Sequence, residues 1–124
     1  HNPHAAKELA KTLSELPKAT RQVAVFGMLS DKDRPQVCRI MVSSFNKWYL
    51  SDLQGPRGGI AQDLCAMLSE AGVPQEKIQT FKTVEEALQR AIEEAHETDR
   101  IVTFGSFLTV ASAIEYLKEK VGRN

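Results

Sequence analysis

Four short segments hold the residues of this chain best suited to chemistry. They are His1-Asn2-Pro3-His4, Ser30-Asp31-Lys32-Asp33 just after Gly27, Gln54-Gly55-Pro56-Arg57-Gly58-Gly59, and the Ser106 loop that runs from Gly105 to Thr109. Between them they offer imidazole, carboxylate, ammonium, guanidinium and hydroxyl groups. Each leads into a stretch with helical spacing, and the free N–H groups and dipole at a helix start favour anions such as carboxylate or phosphate. Each also has a plain structural use. Asp31 and Asp33 fit helix capping, residues 55–59 a tight turn with Arg57 solvated, and Ser106 an ordinary N-cap. His1 and His4 stand three residues apart, a spacing compatible with a metal, but two imidazoles with no third ligand make a poor site. No metal ligand is assigned. His96 reads as a helix-terminal residue.

Missing motifs narrow the chemistry further. The chain contains no G-x-x-x-x-G-K-[ST] phosphate loop, no G-x-G-x-x-G fingerprint and no G-x-S-x-G elbow. Cys38 and Cys65 fall in helical stretches and read as small buried thiols, reduced rather than bridged. No catalytic residue is therefore assigned within the chain, and independent phosphoryl transfer or hydrolysis is not expected.

The elements that must position these segments alternate strictly. Asn2 before Pro3 starts a helix whose Ala6, Leu9, Leu13 and Leu16 share a face, and Pro17 stops it. Residues 23–26 form a buried strand ending at Gly27. A helix near Pro35 carries Val37, Ile40 and Met41, and residues 47–50 form a second strand. Another helix passes through Leu64, Met67 and Leu68 to Gly72, followed by a short strand at 78–81. Thr83 and Glu86 make a capping box for a helix reaching about His96. Residues 101–104 are the clearest strand, and Val110, Ile114, Leu117 and Val121 stripe the last helix. Strands separated by helices imply parallel pairing through right-handed crossovers, here with residues 23–26, 47–50 and 101–104 central. The expected fold is α/β, a Rossmann-like three-layer sandwich with helices on both faces of a mainly parallel sheet. Ligands then collect at the carboxyl ends of the strands, where three of the four segments fall.

Composition agrees with one cored domain. Of 124 residues, 42% are hydrophobic and 26% charged, and 16 Lys and Arg balance 16 Asp and Glu. That neutral balance argues against a nucleic-acid partner, and no apolar run approaches the ~20 residues a membrane span needs. No signal peptide is evident, so a cytoplasmic protein is expected. The abrupt opening at His1, without an initiator Met, leads us to expect a piece of a longer protein.

With these segments in place, a resemblance emerges. His1-Asn2-Pro3-His4-Ala5 resembles the end of the D-x-A-H-N-P-H-A motif that opens the carboxyl-terminal domain of bacterial folylpolyglutamate/dihydrofolate synthases, members of the Mur ligase group. Residues 27–33 resemble its G-M-x-x-D-K-D segment. Trp48-Tyr49 with Gly55-Pro56-Arg57-Gly58 is similar to its W-Y…G-P-R-G stretch, and residues 105–111 resemble G-S-F-H-T-V-A with Leu108 in place of His. The four segments keep the family's order and cover the chain from end to end.

The resemblance implies a domain, residues 1–124, of a two-domain ligase that uses ATP and Mg2+. That enzyme joins L-glutamate to dihydropteroate or tetrahydrofolate through an acyl phosphate. The phosphate loop and metal ligands would lie in an absent amino-terminal domain. The motif aspartate expected at the nucleotide ribose, and its strand, would lie upstream of His1. His1 and Ser106 become candidates for the glutamate, an imidazole and a hydroxyl beside helix starts suiting a carboxylate. Asn2, Asp31, Lys32, Asp33 and Arg57 would face the same nucleotide cleft. Two alternatives stand beside this reading: the corresponding domain of a cell-wall Mur ligase, and a non-catalytic flavodoxin-like ligand-binding module. Phosphoacceptor receivers carry acids at two strand ends and a distant Lys, whereas here Asp31, Lys32 and Asp33 share one loop.

Overall fold

The computed structural model describes residues 2–122, the side chains of Val121 and Gly122 excepted. Helices α1 (Pro3–Glu15), α2 (Arg34–Met41), α3 (Ala61–Glu70), α4 (Val84–Glu94) and α5 (Phe107–Gly122) alternate with strands β1 (Gln22–Phe26), β2 (Lys47–Ser51), β3 (Ile78–Phe81) and β4 (Arg100–Phe104). The sheet is parallel throughout, in the order β3-β2-β1-β4. Alternation along the strands divides the core in two. Ala24, Phe26, Trp48, Leu50 and Phe104 face α1, α2 and α3; Val23, Val25 and Tyr49 face α4 and α5. The expected three-layer architecture is present.

Two expectations need correction. The strand at 101–104 is not central: β4 is an edge of the four-stranded sheet, and four of its five residues are only partly buried. The stripe on α5 does not enter the core either. Ile114 and Leu117 are 49% and 44% exposed, while Ala113 and Thr109 turn inward. Both follow from one cause, since α5 lies over the outermost strand and its outer flank overhangs the sheet. Val121, the last member of the stripe, has a side chain outside the described set.

Local signals explain the helix starts. Asn2 accepts the Ala5 N–H at 2.9 Å and Pro3 fills the first turn of α1, while Thr83 accepts the Glu86 N–H at 3.1 Å. Cys38 and Cys65 are buried and free. Burial pushes the Cys38 thiol up to about 12, which leaves it a packing residue rather than a nucleophile.

At the amino-terminal edge of the sheet, β2, β3 and α4 are tied by one carboxylate. Glu94 Oε1 accepts from Tyr49 Oη at 2.6 Å, Gln79 Nε2 at 3.0 Å and Lys47 Nζ at 3.1 Å. The Tyr49 hydroxyl, with Lys47 and Gln79, lowers the Glu94 carboxyl from 4.5 to about 2. A carboxyl held below its unfolded value stabilises the fold above about pH 4.5, and that contribution is lost as pH falls through about 2. Glu94→Gln should therefore lower stability at neutral pH and flatten its decline between those limits. Urea unfolding of the two proteins at stepped pH checks this, and parallel pH profiles would refute it.

Candidate functional site

The loops after β1, β2 and β4 meet at the carboxyl edge of the sheet and are joined largely by main-chain groups. In the loop after β2, Gly58 N–H donates to Gly55 at 3.0 Å and Leu53 N–H to Gly59 at 2.9 Å. That folded loop then docks on the loop after β1. Ser30 donates from its N–H at 2.8 Å and its hydroxyl at 3.1 Å to the same Arg57 carbonyl. Neither the fold of the loop nor its docking has room for a side chain: a Cβ on Gly58 would overlap the Leu53 carbonyl within the loop, and one on Gly59 the Met28 carbonyl across it.

The loop after β4 closes from the other side. Gly105, at φ +123°, brings the chain onto the Gly27 carbonyl, where a Cβ would collide. Thr109, fully buried in the first turns of α5, donates its hydroxyl to that same carbonyl at 2.9 Å. Its N–H donates to Ser106 Oγ at 3.2 Å, and the two hydroxyls lie 3.0 Å apart. Ser106 is therefore the N-cap of α5, and it is 4% exposed.

The structure gives the candidate residues distinct surroundings. Asp31 and Arg57 are paired at 2.9 Å across the two docked loops, both well exposed. Asp33 caps α2 by accepting the Gln36 N–H at 3.4 Å. The Lys32 side chain is exposed and makes no hydrogen bond or ion pair among the described residues. Asn2 caps α1, whose first turn reaches this edge: Ala5 and Ala6 line a cavity of about 240 Å³ with Phe104 and Gly105. His1 lies outside the described residues.

Three contributors were not singled out in the sequence. Thr109 joins two loops. Asp52 accepts the Ala61 N–H at 2.6 Å and so caps α3, whose own N-cap residue, Ile60, has no side-chain acceptor. Asp52 also lines two neighbouring cavities of about 330 and 410 Å³, in both of which Lys82 takes part. Arg34 is the third. Its side chain is 12% exposed, with Nη1 buried and without a hydrogen-bond partner, 3.8 Å from Asp63. A helix start lacking a capping side chain is the one sequence signal that pointed toward Asp52.

Comparison with known proteins now bears on this geometry. The family model described as Mur ligase, glutamate ligase domain matches residues 1–107. The chain belongs to that family. Within it, the chain is 37% identical over 117 residues to the dihydrofolate synthase/folylpolyglutamate synthase of Escherichia coli, covering 94% of this chain and 26% of that protein. It superposes on Escherichia coli FolC in complex with ADP with a TM-score of 0.89 at 35% identity, over 98% of this chain and 28% of that one. A folylpolyglutamate synthase/dihydrofolate synthase with Mn, AMPPNP and L-glutamate bound gives a TM-score of 0.79 at 37% identity, over 95% and 27% of the two chains. This glutamate ligase domain thus spans about a quarter of the length of the relatives it matches.

The docked loops are expected to depend on the missing Cβ at position 58. Gly58→Ala should destabilise the domain by about 1–3 kcal/mol, because the loop must move off the Leu53 carbonyl. Gly55, at φ +97° with open space around it, should cost only about 1 kcal/mol as Ala. Denaturant midpoints for the two variants check the order, and G58A milder than G55A would contradict it.

Proposed function

We propose that residues 1–124 form the carboxyl-terminal domain of an ATP-dependent ligase that adds L-glutamate to dihydropteroate or tetrahydrofolate. The observation that carries this reading is the whole-domain match at a TM-score of 0.89 to Escherichia coli FolC, together with three motif loops gathered at one sheet edge. In the proposed reaction the γ-phosphate of ATP passes to the substrate carboxylate. The glutamate amine attacks the acyl phosphate, its surplus proton leaves, and inorganic phosphate departs.

This domain's contribution is orientation and closure over the nucleotide, supported by an edge too rigidly tied to be a plain linker. His1 and Ser106 are assigned to the glutamate. Asn2, Asp31, Lys32, Asp33 and Arg57 are assigned to the nucleotide-facing cleft. An exposed ion pair such as Asp31–Arg57 is worth only about 0–1 kcal/mol, so either partner can exchange it for a ligand contact. No group of three His, Cys, Asp or Glu side chains among the described residues could hold a metal ion. Mg2+ and most of the ATP contacts are assigned to the rest of the full-length protein. No described helix is long and apolar enough to cross a membrane. The ligase is proposed to act in the cytoplasm.

Two outcomes test the assignment. The full-length protein should release ADP only when ATP, a pteroate-type acid and glutamate are all present, whereas residues 1–124 alone should turn over no ATP; turnover by the pure fragment would contradict it. Ser106→Ala in the full-length protein should raise the KM for glutamate by about tenfold, the effect of losing one polar contact, with the KM for ATP nearly unchanged. Loss of ATP affinity with glutamate affinity intact would reverse the assignment.

A further inference from the structure

We draw no further inference here: the strongest candidate, the half-exposed apolar flank formed by Ile114 and Leu117 of α5 beside the edge strand β4, is an unpartnered face, and nothing in the structure shows what covers it.

Discussion

The Gly27 carbonyl is where the carboxyl edge of this domain converges. It ends the central strand β1, receives the Thr109 hydroxyl, and is approached by Gly105 so closely that no Cβ fits between them. On the other side of the same loop, Ser30 takes hold of the Arg57 carbonyl and brings the turn after β2 into register. Three crossover loops are thus fixed to one another by main-chain and short hydroxyl bonds. Such bonds carry little of the rotamer entropy that long side chains must give up on ordering. Arg57, Asp31 and Lys32 project from this platform toward solvent, the first two paired with each other at 2.9 Å.

The rest of the fold serves that edge. Aromatic rings below it, Phe26, Phe45, Trp48 and Phe104, stack or meet edge-on at centroid separations of 4.6–6.2 Å. They give the strands a stiff underside. At the opposite end Glu94 gathers Lys47, Tyr49 and Gln79, and Arg21 donates from Nη2 and Nε to the one oxygen Oδ2 of Asp99 at 2.7 and 3.1 Å. Polar knots therefore tie elements together at the amino-terminal edge, while the carboxyl-terminal edge has cavities lined by both carboxylate and ammonium, Asp52 and Lys82.

Much of this was legible in the sequence because the signals were local. Asn2-Pro3, Thr83 with Glu86, and the apolar runs at 23–26 and 47–50 each act through neighbours a few residues away, and each appears where expected. Pairings across the fold were not legible. Nothing in the spacing of Asp31 and Arg57 says that they meet, and Thr109 looked like one polar residue among apolar neighbours. The edge position of β4 was hidden as well, since 101–104 has the apolar character of a central strand. The α5 stripe misled in the same way: periodicity reports which residues share a face, not whether that face is covered.

The central claim, that this edge receives glutamate in a ligase, is tested most directly by hydrogen exchange on the full-length protein. A non-hydrolysable ATP analogue should be present throughout, and glutamate added or withheld. The account expects glutamate to slow exchange in residues 105–110, with a smaller effect at 27–33 and 53–59. Protection confined to the protein outside residues 1–124 would contradict it.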